Sequence, residues 1–390
     1  MLEYFQHSTP AYRVFCGDRA LDAIPRELDR LRCSRVVVVS GPWILKRPDI
    51  SDAVKTAIDS RLAGHFIGVE MHSPIPSVEA ARTFLEDTEA DAVIALGGGS
   101  SIVTARAATI LLAEGRAPRE LSTRRGDDGL LFSPRLSALK LPNWVIPSTP
   151  ITAYATAGSA IHDPETGERF ALYDPKTRAQ GIFIDPVVAL SAPIGLATSA
   201  ALHCFSVAVE SVQTGNDDPL ADALLIHALT MLSEWLPRSQ DAPDNAKARL
   251  RLMLGALLCG QGGEHVGGGL SQALSHAAGP RSSVANGIVE AMLLPHTMRF
   301  NAPVTGNRLE IVADVLRLAP SVASGDHGDA ITLVQQVLNR LGIPTRLRDV
   351  GISAEALPEI IEHALDDWSI TQSPRRVDSE GLAELLGSAW

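Results

Sequence analysis

Apolar positions follow two rhythms along this chain. As far as about residue 190 they form short runs: Tyr12–Cys16, Ser34–Ser40, His65–Val69, Ala92–Leu96, Trp144–Pro147 and Gly181–Ile184. Short apolar runs bounded by glycine, proline or polar residues read as strands covered on both faces. Between them, Ala20–Leu31, residues 51–63 and Ser77–Thr88 carry helical spacing, with Leu21, Ile24, Leu28 and Leu31 on one side. The alternation predicts an open, mostly parallel sheet flanked by helices. From about Pro193 the period becomes 3.6. Residues 195–212, 218–236, 246–262, 284–299, 328–341, 353–365 and 379–388 predict helices, and strand-like runs vanish. The expected fold is an α/β domain over residues 1–190 and an all-α domain over 191–390.

The chain is organised around Ala90–Ile110, where AVIAL runs into Gly97, Gly98, Gly99, Ser100 and Ser101 and then a helix expected near Ile102. Three glycines release the backbone from side-chain restrictions and allow close approach of a ligand. The serines are expected to cap the helix, whose positive end suits a phosphate. In parallel sheets ligands bind at the carboxyl ends of strands, where this turn falls. The unit is a candidate pyrophosphate cradle, although a plain βα turn has the same pattern.

Other stretches punctuate the pattern. Residues 114–143 mix charge, glycine and proline without a period and predict a long surface loop, a lid or an unstructured insertion. DPETG (Asp163–Gly167) predicts a turn, and the glycine-rich run Gly260–Gly269 a bend between closely packed helices.

Composition narrows the classes. The 390 residues are 45% hydrophobic and 20% charged, enough for large cores. A net charge of −11 argues against nonspecific nucleic-acid binding. Cys16, Cys33, Cys204 and Cys259 form no CxxC pair and read as reduced, packed thiols of a cytoplasmic protein. The opening MLEYFQHSTPAYRVF lacks the pattern of a secretory signal, and no window approaches 18 uninterrupted apolar residues, so no membrane partner is expected.

Polar residues on helical faces of the second domain are the candidates for chemistry. His203 and Glu210 lie seven apart on one face, with Val207 between them; Gln272 and His276 are four apart on another; Asn286 and His296 follow. A histidine in an apolar helix is more often a hydrogen-bonded core residue than a catalyst. His276 gains weight from its glycine-rich surroundings. No HxxxH or HExxH pair signals a metal.

YRVFCGDRAL, MHSPIPS (Met71–Ser77), ALGGGSS, the IPST turn, LLPHTMRFN and GLAELLGSAW occur in collinear order over nearly the whole chain. With these motifs the chain resembles the iron-dependent alcohol dehydrogenase superfamily, most closely its maleylacetate reductase branch. The resemblance implies a Rossmann-like NAD(P) domain followed by a helical domain, hydride transfer between them, a small-molecule substrate and a homodimer. The family pattern GGGSxxDxAK falls on Gly97–Arg106, with Val103 for the Asp and Arg106 for the Lys. PTTAGTGSE falls on Pro147–Ala155, with Tyr154 and Ala155 replacing Ser-Glu.

On this resemblance the cofactor-binding residues are Gly97, Gly98, Gly99, Ser100, Ser101, Ser148, Thr149, Thr152, Arg169, Ser40 and Pro42. Ser40–Gly41–Pro42 stands where many NAD-specific relatives carry an Asp, so both NAD and NADP remain open. Asn286, Tyr154 and Arg281 are the substrate candidates, with Arg169 and Arg281 the cations for a dicarboxylate.

The superfamily's metal ligands fall on His203, Val207, Gln272 and Asn286. Valine has no lone pair and amides bind divalent transition metals poorly, so no metal is expected. His276 is the first choice for proton donor or oxyanion partner, helped by His203 or Gln272. Three readings follow: a metal-independent reductase of maleylacetate or a similar unsaturated keto acid, the same scaffold on another substrate, or a nucleotide-binding protein without turnover.

Overall fold

A computed structural model describes residues 5–126, 131–214, 218–267, 269–323 and 325–390. It divides into two compact units. One comprises residues 10–149 and 153–192; the other comprises residues 1–9, 150–152 and 193–390.

The first unit runs β1 (Arg13–Cys16), α1 (Ile24–Leu31), β2 (Val36–Val39), α2 (Pro48–Ile58), β3 (Leu62–Phe66), α3 (Ile75–Asp87), β4 (Ala92–Gly97) and α4 (Gly99–Glu114). It continues with α5 (Pro118–Leu121), β5 (Ser122–Arg125), β6 (Leu131–Phe132), β7 (Asn143–Pro147), β8 (Gly158–His162), β9 (Arg169–Tyr173), β10 (Gly181–Ile184) and α6 (Pro186–Ser191). Six strands form a sheet of order β1-β10-β7-β4-β2-β3, every pair parallel. VVVV in β2 and the whole of β4 are buried, as strands covered on both faces require. Alternate residues Val36, Val38, Ile94, Leu96, Trp144 and Ile146 meet Ile24, Leu28, Ile50, Val54 and Ile58 in one core.

Three local expectations shift. The third strand occupies Leu62–Phe66 rather than His65–Val69, because α2 ends at Ile58 and a short 3₁₀ turn leads directly into it. Helix α3 starts two residues before Ser77, whose hydroxyl donates to the Gly68 carbonyl at 2.8 Å instead of capping. Segment 114–143 is not a bare loop. It contributes β5 and β6 to an antiparallel sheet of order β6-β5-β9-β8, its residues 127–130 lying outside the described ones. DPETG is the turn of the β8–β9 hairpin in that sheet. Lys140, fully buried, closes the segment with ion pairs to Glu114 at 2.6 Å and Asp174 at 3.1 Å. Strands this short and polar leave little apolar rhythm to read.

The second unit is helical: α7 (Ile194–Thr214), α8 (Pro219–Asp241), α9 (Ala246–Val266), α10 (Leu270–Ala278), α11 (Asn286–Thr305), α12 (Arg308–Leu316), α13 (Ala330–Arg340), α14 (Leu357–Asp366) and α15 (Ser379–Ala389). Helix α9 continues through Gly260, Gly262 and Gly263 and ends only at Val266, with Gly267 as its C-cap, so most of the glycine-rich run is helix rather than bend; Gly268 lies outside the described residues. Its glycines are contact points, since a Cβ on Gly262 would stand 2.6 Å from Leu225 of α8. Among the described residues, α7 is the one helix long and apolar enough to cross a membrane, and 67% of its apolar window is buried inside the protein. Cys33, Cys204 and Cys259 are buried free thiols, but Cys16 is exposed rather than packed.

Candidate functional site

Strand order locates a candidate ligand crevice within the α/β unit. After β2 the chain moves outward to β3, and after β4 it moves the opposite way to β7. Connections that leave in opposite directions open a crevice at the strand ends, the usual ligand position in parallel sheets. The segments there are Gly41–Pro42 after β2 and Gly97–Gly99 after β4.

Gly97 has φ +139°, and an added Cβ would meet the Ser101 hydroxyl at 2.5 Å. Gly98 is the N-cap of α4, with no side chain capping it, and its Cβ would lie 3.2 Å from Thr149 Oγ1. The helix thus begins at Gly99, three residues earlier than expected, and the serines lie inside its first turn instead of capping it. The Ser100 hydroxyl accepts from His72 N at 3.1 Å, and its carbonyl accepts from Ser73 Oγ at 3.1 Å. Ser101, Ser148 and Thr149 are buried around the turn, and Ser148 N donates to the Gly97 carbonyl at 2.9 Å. A 16-residue helix whose first turn has no side-chain cap suits a phosphate group.

Two elements here escaped sequence reasoning. Trp43, in the 3₁₀ turn begun by Pro42, approaches both loops: its ring would lie 3.2 Å from a Cβ on Gly41 and 3.4 Å from one on Gly97. His72 and Ser73 both have positive φ, 62° and 52°, a strained turn held against α4 by Ser100 and Thr104. The MHSPIPS segment (Met71–Ser77), which contains both residues, is the sequence signal for it. Ser40 is buried beneath the crevice, with its hydroxyl 2.8 Å from His65 Nε2.

Other predicted cofactor and substrate residues are placed differently. Arg169 lies in β9, in register with His162 in the antiparallel sheet. Tyr154 is fully buried, so it is not a surface a substrate reaches. Arg106 is also buried, donating to the Gly158 carbonyl at 2.6 Å and the Ala153 carbonyl at 2.7 Å; it braces the unit internally.

In the helical unit the histidines acquire carboxylate partners. His203 Nδ1 is 2.8 Å from Glu290 Oε2, while its Nε2 is 3.4 Å from Thr152 Oγ1. Thr152 therefore belongs with His203 in this unit. Burial pushes the His203 pKa down, but the charge and hydrogen bond of Glu290 outweigh it and the net shift is upward. Glu290 was missed because it sits in the apolar sequence GIVEAMLL, with no pattern linking it to a residue 87 positions away. Glu210 does not pair with His203: it accepts from Ser271 Oγ and Thr297 Oγ1, each at 2.7 Å. Full burial raises its pKa to about 7 against those hydrogen bonds.

His276 Nδ1 lies 2.7 Å from Asp367 Oδ2. Burial raises the Asp367 pKa, but the charge and hydrogen bond of His276 bring it below the ordinary value. Gln272 is on the same helix, half-buried. Asn286 opens α11 and packs on Gly279, where a Cβ would stand 2.2 Å from its Oδ1. Arg281 is committed to Glu359 at 2.5 Å and to the Ala277 carbonyl at 2.7 Å, so its charge is already compensated. His296 stands apart from both pairs, 2.8 Å from Ser388 Oγ.

The positions that the resemblance gives to metal ligands do not fit a transition-metal centre. They supply one imidazole, already bound to Glu290, the buried alkyl side chain of Val207, and the amides Gln272 and Asn286. One different cluster among the described residues has ligand atoms within 4.8 Å of each other: His7, Asp218 and His265. Its imidazoles are stacked 3.8 Å apart, and Asp218 also caps α8, which already accounts for the grouping.

A parallel sheet with a glycine turn at its switch point, followed by a helical unit bearing histidine–carboxylate pairs, defines an architecture of an α/β unit and an all-α unit. The comparisons specify it. Residues 10–186 match the family model of iron-containing alcohol dehydrogenases, and residues 197–390 match the C-terminal model of that family. The chain belongs to the iron-containing alcohol dehydrogenase family.

It is 26% identical to maleylacetate reductase 1 of Cupriavidus pinatubonensis, over 97% of this chain and 95% of that protein. It is 30% identical to lactaldehyde reductase of Escherichia coli, over 96% and 97%. Among solved structures, maleylacetate reductase from Agrobacterium tumefaciens matches with a TM-score of 0.80 at 23% identity, covering 100% and 99% of the two chains. Alcohol dehydrogenase from Oenococcus oeni matches at 0.88 and 22%, covering 99% and 100%. These structural likenesses establish the fold.

Proposed function

We propose that this chain is an NAD(P)H-dependent reductase that works without a metal ion, with an unsaturated keto acid such as maleylacetate as its substrate. The glycine turn at the sheet's switch point carries the cofactor half of this reading. Gly97, Gly98 and the first turn of α4 would hold the pyrophosphate, with Ser148 and Thr149 beside them. The bound nicotinamide supplies a hydride.

The helical unit holds the candidates for the matching proton. His276, held by Asp367, is the first donor. His203, whose pKa the charge and hydrogen bond of Glu290 raise against burial, is the second, and Thr152 shares a hydrogen bond with its Nε2. A positioned acid of this kind contributes about 10²–10⁴-fold to rate. An imidazolium also supplies positive charge where a substrate oxyanion develops, the task a Lewis acid has elsewhere.

One observation favours a second substrate class. The ion pair of Arg281 with Glu359 removes a cation that a dicarboxylate would need. An uncharged aldehyde needs none. Titration with NADH and NADPH, watched by nicotinamide fluorescence and accompanied by metal analysis, tests the cofactor and metal parts. Turnover of maleylacetate against lactaldehyde tests the substrate. Failure to bind either nucleotide would overturn the reading and leave a protein without turnover.

A further inference from the structure

His296, singled out by the sequence but absent from both histidine–carboxylate pairs, borders a half-open cavity of about 540 Å³ in the helical unit. Arg299, Gln335, Thr345, Arg346 and Ser388 complete the lining. They come from α11, α13, the segment before residue 347 and α15, so only the folded unit assembles them.

Ser388 Oγ lies 2.7 Å from the Leu385 carbonyl, to which it can donate, and 2.8 Å from His296 Nδ1. Arg346 donates to the Ser388 carbonyl at 2.8 Å, and Arg299 lies 3.4 Å from the Pro295 carbonyl. Among the described residues, neither guanidinium has a carboxylate within 4 Å. Asp329 feels the Arg299 charge but is not paired with it. In a chain of net charge −11, two arginines without an ion-pair partner among the described residues give this cavity a local positive charge. Burial foremost, and then the charges of Arg299 and Arg346, lower the His296 pKa to about 4 and keep it neutral.

We propose that this cavity is a binding site for a multivalent oxyanion of the phosphate class, separate from the nucleotide turn of the other unit. Arg299 and Arg346 supply charge-assisted donors that match phosphate oxygens, and Thr345, Ser388 and Gln335 supply neutral ones. His296 reports occupancy, because a bound anion opposes the arginine charges that add to burial in keeping it neutral.

The test uses the full chain carrying histidine labelled with ¹³C at Cε1, titrated with potassium phosphate against potassium chloride at equal ionic strength. The His296 resonance is assigned by its loss in His296→Gln. A saturable phosphate-specific shift is expected, weakened roughly tenfold in Arg299→Gln and in Arg346→Gln. Both arginines are surface residues, and either variant serves if the other is poorly folded. A response that is the same in chloride, or that survives in the double variant, overturns the site. Because the readout is local to His296, phosphate bound at the glycine turn does not imitate it.

Discussion

The Nδ1 atom of His203 lies 2.8 Å from Oε2 of Glu290, a carboxylate that is itself buried, and the two residues, on α7 and α11, are 87 positions apart in the chain. This pair turns a histidine in an apolar helix into a group that keeps its proton above the ordinary imidazole range. Glu290→Gln is expected to lower the pH at which kcat/KM falls on the alkaline side, by about one unit or more. A pH–rate profile of the two proteins is the check. An unmoved limb would remove His203 from the proton-transfer step.

His276→Ala is expected to lower kcat by about 10²-fold or more with little change in cofactor affinity. Asp367→Asn should keep part of the activity, since the imidazole remains but its orientation is less secure. Asp367 has a depressed pKa in the folded state, so its contribution to stability is present above the unfolded carboxylate value and lost as pH falls through the folded one. Acid denaturation of wild type and Asp367→Asn should therefore converge at low pH. Steady-state kinetics and denaturant curves together separate the two roles.

Gly98→Val should weaken NADH or NADPH binding roughly tenfold or more, because the new side chain meets Thr149 at the proposed pyrophosphate position. Gly97→Ala forces a side chain into φ +139° and onto Ser101, so it should also lose stability. Fluorescence titration and a melting curve distinguish a blocked site from a strained one. Unchanged affinity in a folded Gly98→Val protein would move the nucleotide elsewhere.

Glu210 predicts a pH dependence of stability that is unrelated to catalysis. Its folded pKa is about 7, raised by burial, against an ordinary value of 4.5. A raised value means the native state favours the proton: the contribution is full below pH 4.5 and is lost as pH rises through 7. The difference is on the order of 3 kcal/mol for a fully buried group. Glu210→Gln should flatten this dependence between pH 4.5 and 7 in thermal melts. A wild-type curve already flat there would count against a protonated Glu210.

Chelation gives a direct test of metal independence. Exhaustive treatment with a chelator is expected to leave turnover unchanged. Activity lost and then restored by iron or zinc would reverse the proposal, and variants of His7, Asp218 and His265 would show whether that cluster holds the ion.

Much of the α/β unit is written locally. SRVVVVS and ADAVIALGGG state their strands through β-branched runs and stops, and the glycines of Gly97–Gly99 imply a turn that a ligand approaches, before any partner strand is known. The helices of residues 193–390 are equally legible, because an amphipathic or buried helix imprints its period on every turn. Segment 114–143 was not, since β5 and β6 are too short and polar to leave a rhythm and are stabilised by pairing.

The chemistry divides in the same way. The sequence by itself determined the elements and the glycine turn, and it singled out His203, His276 and His296 as histidines on helices. Only the tertiary structure decided their states. It put Glu290 beside His203 and Asp367 beside His276, added Arg346 to the surroundings of His296, tied Arg281 to Glu359 and buried Tyr154. The physical reason is that propensity and period act over a few neighbouring residues. Charge state and accessibility depend on desolvation and on partners 80 or 90 positions away, which exist only once the chain has folded.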